Sequence, residues 1–170
     1  MQNRGRLIAQ DTHRARLELV RMNCERLGVT NVERSTVATV THPELSLAFD
    51  RILVDAPCSN TGVMRRRVDL RWRIRPEEIN RLQAVQLELL QDAAAQLKPG
   101  GTLVYSTCSL EPEENHSVVK KLLAERNDLR LHTERQLTPF NDHVDGAYVA
   151  RMMRRRSGDE RPPESGNPGE

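Results

Sequence analysis

Aromatic residues are nearly missing from this sequence. They make up 3% of 170 residues: two Phe, two Tyr and one Trp. A core with so few rings has to be built from Leu, Val, Ile and Ala, and a 37% hydrophobic fraction supplies enough of these for one domain. Cysteine is scarce as well. Three residues, an odd number with no CxxC pair, exclude a disulfide framework and a paired-cysteine zinc site. The five histidines (His13, His42, His116, His132, His143) never fall in HxxxH or HExxH spacing, so no metal is expected. No run approaches the roughly 20 apolar residues of a membrane span, and no signal-peptide pattern opens the chain. The expected compartment is therefore a reducing cytoplasm. Neither charge dominates: 26 basic residues face 24 acidic ones for a net of +2, too even to prove a nucleic-acid partner.

What is present alternates between two periods. GRLIAQD (Gly5 to Asp11) reads as a short strand. HRARLELVRMNCERLG carries Leu17, Val20, Cys24 and Leu27 on one helical face, with Gly28 placed to end the helix in a left-handed conformation. Cys24 on that stripe reads as core. TNVERSTVATV holds a second strand and FDRILVD a third. Pro76 to Leu97 reads as a helix with Glu77 and Glu78 in its first turn and Leu82, Val85, Leu89 and Ala93 as its stripe. KPGG stops it and leads into the strand TLVYS, after which Pro112, Glu113 and Glu114 open another helix. GAYVARMM reads as one strand of an antiparallel pair, and Arg154 to Arg156 as solvent-facing. The pattern predicts an α/β fold with a parallel sheet covered on both faces. Residues 1–156 are expected to form the domain and 157–170, rich in Gly, Pro, Ser and acid, a disordered tail.

In such a sheet, ligands collect beyond the carboxyl ends of the strands. Asp11, Asp55 and Cys108 fall at such ends, and Cys58 lies three residues past Asp55. Position alone leaves the two thiols open as packing residues, redox partners or parts of one catalytic site, and Asp11 open as a helix cap.

The segments VDAPCSNTG and VYSTCSLEPEEN, in this order and spacing, closely resemble two motifs of the Nop/Sun RNA cytosine-5 methyltransferases. The chain looks most like the bacterial branch that acts on a cytosine of small-subunit ribosomal RNA. The likeness runs from about Arg6 to Arg151 and takes in RRRVDLRWR, KPGGTLVYSTCS and DGAYVAR. It implies a Rossmann-like class I sheet, S-adenosylmethionine as cofactor and ribosomal RNA as partner. It makes Cys108 the nucleophile, Cys58 an assistant in product release, Asp55 the holder of the cytosine edge close to the cofactor, and Asp11 the acceptor for the cofactor ribose hydroxyls. The chain departs from the pattern in several places. The family's first strand, its glycine-rich loop and an upstream RNA-binding domain are expected before Asp11's strand, which would make Met1 internal and this a partial catalytic domain. Thr36 stands where a family Asp would meet adenine, and Ala147 where an aromatic is usual.

The implied chemistry needs an activated thiol, because a free Cys with a pKa near about 8.5 is only a few per cent thiolate at neutral pH. The helix opening after Glu111 is expected to offer Cys108 a positive terminus, partly offset by Glu113 and Glu114. Asp55 is expected as a buried carboxyl with a raised pKa. MRRRVDLRWRIR gathers Arg65, Arg66, Arg67, Arg71, Arg73 and Arg75 around Trp72, suited to phosphates and an unpaired base. A solvated surface with Trp72 in the core is the plainer reading of the same residues. Three rivals remain: a non-catalytic RNA-binding remnant, a Cys58–Cys108 redox protein, and a Pro-Cys nucleophile at Cys58 as in DNA cytosine-5 methyltransferases.

Overall fold

The computed structural model describes residues 1–36, 49–156 and 158, in two compact units, Met1–Pro43 and Glu44–Glu170. The tail expected over 157–170 therefore lies outside the described residues, Gly158 apart.

In the first unit, β1 (Leu7–Gln10) pairs in parallel with β2 (Val32–Ser35), and α1 (Arg14–Leu27) connects them. Gly28 closes α1 at φ 65°, the left-handed conformation that its position predicts. The expected stripe is covered only in part: Leu17 is buried while Leu27 is exposed. The strand expected within residues 30–40 is β2, and the rest of that segment lies outside the described residues.

The second unit contains β3 (Phe49–Asp55), the one-turn α2 (Leu70–Arg73), α3 (Pro76–Gln96), β4 (Leu97–Thr107), α4 (His116–Glu125), β5 (Leu129–Leu137), α5 (Pro139–Asp142) and β6 (Ala147–Arg154). Its sheet runs β3-β4-β6-β5. β3 and β4 are parallel, as a strand–helix–strand crossover requires. β6 is antiparallel to both neighbours, so the sheet is mixed rather than wholly parallel. β5 (LRLHTERQL) carries no strand pattern in its sequence, because six of its nine residues are polar or charged and only Leu129 is buried.

Pro76 in the first turn and Glu77 and Glu78 beside it start α3 as expected. The buried face of α3 is rotated from the expected one: Leu82, Gln86, Leu90, Ala93 and Ala94 are buried, whereas Leu89 is exposed. That face meets α4 (Val118, Val119, Leu122) and β4 (Leu97, Leu103, Tyr105) to form the core. Arg154 is not solvent-facing. Its guanidinium lies 2.9 Å from Asp128, which also holds Arg126 at 2.8 Å. Among the described residues, no helix is long and apolar enough to cross a membrane.

A two-thiol candidate active site

β3 and β4 end side by side, with Asp55 opposite Ser106. The loops beyond them carry Cys58 and Cys108, whose sulfurs lie 3.2 Å apart as free thiols. Three of the four expected site residues thus meet at one sheet rim. Asp11 belongs to the first unit.

Asn60 fixes the pair from the side. Its backbone adopts φ 63°, a left-handed conformation that Asn tolerates. Its Nδ2 donates to the Cys58 carbonyl (2.7 Å), which turns Oδ1 toward Cys108 Sγ at 2.8 Å. In the thiol form Cys108 donates to Asn60, and in the thiolate form it accepts from Cys58. The second arrangement is favoured electrostatically. Cys108 is drawn down to about 7, first by the Cys58 hydrogen bond and further by its own backbone N–H and the Arg67 charge, with burial and Asp55 opposing. Cys58 is pushed well above the ordinary thiol range, first by its hydrogen bond to Cys108 and then by burial. Cys108 is therefore the first of the pair to lose its proton, and Cys58 keeps the one they then share.

The expected source of activation differs from the one found. The segment after Glu111 is a 3-10 turn (Pro112–Glu114), broken at Asn115 (φ −111°, ψ −104°), and the α-helix proper starts only at His116. Glu114 is fully buried rather than lying on a first helical turn. It accepts from Ser59 N (2.9 Å), Ser109 Oγ (2.6 Å), Gln86 Nε2 (3.1 Å) and the Ser59 hydroxyl. The sequence signal for this was the EPEE run inside the second Cys motif, which fits a helix start equally well.

Asp55 also departs from expectation. Period-2 alternation along β3 places it on the exposed face with Arg51 and Leu53 rather than in a buried position, and its carboxyl accepts from Ser106 Oγ at 3.0 Å. Asp11 follows β1 and turns the chain into α1. Its Oδ1 accepts from His13 N (2.8 Å), a bond that holds the carboxyl below its usual range, with Arg16 3.3 Å from Oδ2. His13, not Asp11, occupies the N-cap position. Thr36 follows the last residue of the paired strand β2.

Backbone contacts tie a third segment to the two Cys loops. Gly62 N donates to the Cys108 carbonyl (3.0 Å), and Gly146 N donates to the Gly62 carbonyl (2.9 Å). A Cβ at Gly62 would lie 2.2 Å from the Gly146 carbonyl oxygen, so this approach requires glycine. DGAYVAR is thereby stitched to both motifs. Asp145 also takes up Arg65 and Arg66, leaving fewer of the six arginines for phosphate.

Cys58, Ser59 and Asn60 open onto a groove of about 660 Å³ walled by Leu70, Arg73, Ile74 and Arg75. Trp72 is 87% exposed on α2 and plugs no core. The open choice between core plug and surface ring is settled in favour of the surface.

The family model described as 16S rRNA methyltransferase RsmB/F matches residues 1–154. This chain belongs to the RsmB/F methyltransferase family. It is 38% identical over 160 residues to the ribosomal RNA small subunit methyltransferase B of Shewanella oneidensis, covering 88% of this chain and 37% of that protein. It therefore spans a little over a third of that relative's length. Two solved structures from Pyrococcus horikoshii superpose on it. A methyltransferase homolog has 32% identity and a TM-score of 0.78, covering 91% of this chain and 55% of that one. NSun6 with SFG has 29% identity and a TM-score of 0.77, covering 92% and 43%. The RsmB/F chain thus has the Rossmann-like class I methyltransferase fold, with the two thiols in the loops after β3 and β4.

Proposed function

We propose that this RsmB/F chain provides the catalytic portion of an enzyme that methylates carbon 5 of a cytosine in 16S ribosomal RNA. The reading rests on the shared-proton pair: a thiolate-prone Cys108 held 3.2 Å from a proton-keeping Cys58 at the mouth of a groove.

Carbon 5 of cytosine is a weak nucleophile. Cys108 Sγ adds at carbon 6, forming the S–C6 bond and moving the C5=C6 electron pair into the ring, which makes carbon 5 electron-rich. S-adenosylmethionine, when bound, supplies an electrophilic methyl group. The Asp11 carboxylate fits its ribose hydroxyls: it lies at a strand's carboxyl end, its pKa is depressed, and among the described residues Oδ2 is engaged by the 3.3 Å Arg16 contact alone. Asp55, exposed at the end of β3, accepts a hydrogen bond from the cytosine N4 amino group.

Release then requires loss of the carbon 5 proton, and the same geometry supplies a base at that stage. The hydrogen bond and the negative charge of Cys108 both raise the Cys58 pKa. Both vanish once Cys108 becomes a thioether, leaving burial as the remaining cause that raises it, so Cys58 gives up its proton to solvent more readily at that stage. The resulting thiolate takes the carbon 5 proton, the S–C6 bond breaks, and Cys108 leaves as thiolate. The net yield is one methyl group gained and one proton released.

The test uses a chimera in which this chain replaces the matching segment of the Shewanella oneidensis relative. The expected result is 5-methylcytidine in 16S RNA with the chimera, none with C108A, and an accumulating protein–RNA adduct with C58A. Methylation that survives in C108A would overturn the mechanism. A folded chimera that binds RNA in a salt-sensitive manner without transfer would favour the RNA-binding remnant instead.

A further inference from the structure

Glu114 is the one fully buried acidic side chain among the described residues, and none of its hydrogen-bond partners carries a positive charge. Burying a carboxyl without a cation is costly, and an apolar residue of similar size would fill the space more cheaply. The identity of its partners accounts for the choice. Oε1 accepts from the backbone N–H of Ser59 and from Gln86, whose amide also donates to the Pro57 carbonyl at 2.8 Å. Oε2 accepts from the hydroxyls of both Ser59 and Ser109. Ser59 directly follows Cys58, and Ser109 directly follows Cys108. Between them, Thr61 Oγ1 lies 3.2 Å from Ser109 Oγ and accepts from Leu110 N at 2.8 Å. The Tyr105 hydroxyl donates to the Glu114 carbonyl at 2.6 Å and holds the turn itself in place.

We infer that Glu114 is a positioning residue: its single carboxyl group bridges the residues that follow Cys58 and Cys108 and thereby sets the distance between the two sulfurs. A carboxyl group suits this bridge because it offers acceptors to a backbone N–H and two hydroxyls at once. An amide can do so only in part, with its oxygen toward Ser59 N–H and its NH2 toward hydroxyls that must then turn to accept. A hydrocarbon side chain cannot do so at all. Loosening the bridge lengthens the sulfur–sulfur contact and weakens the hydrogen bond that favours the Cys108 thiolate.

The reason the separation matters comes from the proposed function, but its measurement does not depend on methyl transfer. Iodoacetamide alkylation, followed peptide by peptide by mass spectrometry across pH, gives the titration midpoint of each cysteine in this chain. The expected result is a Cys108 midpoint raised by about half a pH unit or more in E114A and by less in E114Q, with Cys24 unchanged. A merely structural Glu114 gives a different pattern: lowered urea midpoints in both variants and an unmoved Cys108 midpoint, which would overturn the inference. S109A removes one anchor while keeping the carboxyl. It serves where E114A does not fold, and an unmoved midpoint in folded S109A and E114Q together would count equally against the bridge.

Discussion

Replacing Cys58 by Ala removes the hydrogen bond that does most to lower the Cys108 pKa and leaves the rest of the rim in place. With Cys108 at about 7, roughly half of it is thiolate at pH 7; returning to an ordinary value near about 8.5 leaves about 3%, a loss of about fifteenfold. The more basic thiolate is intrinsically the better nucleophile. With a Brønsted slope of about 0.45, it gains back about fivefold. The alkylation rate of C58A at pH 7 is therefore expected to fall only about threefold. Two features of the pH profile are more diagnostic: the midpoint moves up toward 8.5, and the alkaline plateau rises about fivefold. C58S keeps a donor near Cys108 and should shift the midpoint less. The assay is stopped-time iodoacetamide labelling of the Cys108 peptide between about pH 5.5 and 10, a window set by the two midpoints. A C58A profile that superposes on wild type would refute the shared-proton account, because burial and Asp55 both act in the opposite direction.

Three further outcomes follow from the same structure. N60D places a carboxylate where the Asn60 amide oxygen now lies 2.8 Å from Cys108 Sγ, so the Cys108 midpoint should rise while the left-handed turn survives; a lowered midpoint would contradict this. G62A forces a methyl group against two backbone segments and should cost about 3 kcal/mol in urea unfolding, or prevent folding; a neutral result would show that Gly62 and Gly146 separate freely. W72A removes an exposed ring, so stability should stay within about 0.5 kcal/mol while single-stranded RNA binding weakens about fivefold or more; unchanged binding would exclude Trp72 as a stacking platform.

The alternation of strands and helices was legible because it rests on period, and Gly28 and Pro76 were legible because their backbone preferences are local. Placing the thiols at strand ends followed from the boundary of each apolar run. The rotated face of α3 was hidden by its composition. Apolar residues at 85 and 89 compete with those at 82 and 90, and the polar Gln86 masks the buried side by hydrogen-bonding inside it. Glu114 was misplaced for a related reason. Proline followed by two acids is a sound helix start, yet Asn115 breaks the backbone and aims the second acid inward. The insertion of β6 between β4 and β5 pairs strands over 40 residues apart on the β4 side, and the closure of Asp145 onto Arg65 and Arg66 joins residues about 80 apart, which no local pattern records.

The central claim is that Cys108, and not Cys58, bonds to the cytosine ring. Incubating the chimera with S-adenosylmethionine and a 16S fragment containing 5-fluorocytidine blocks release, because fluorine replaces the proton that must leave. Digestion and mass spectrometry of the trapped complex should then place the nucleotide on the peptide carrying Cys108, and C108A should yield no adduct. A nucleotide recovered on the Cys58 peptide, with trapping intact in C108A, would contradict the account.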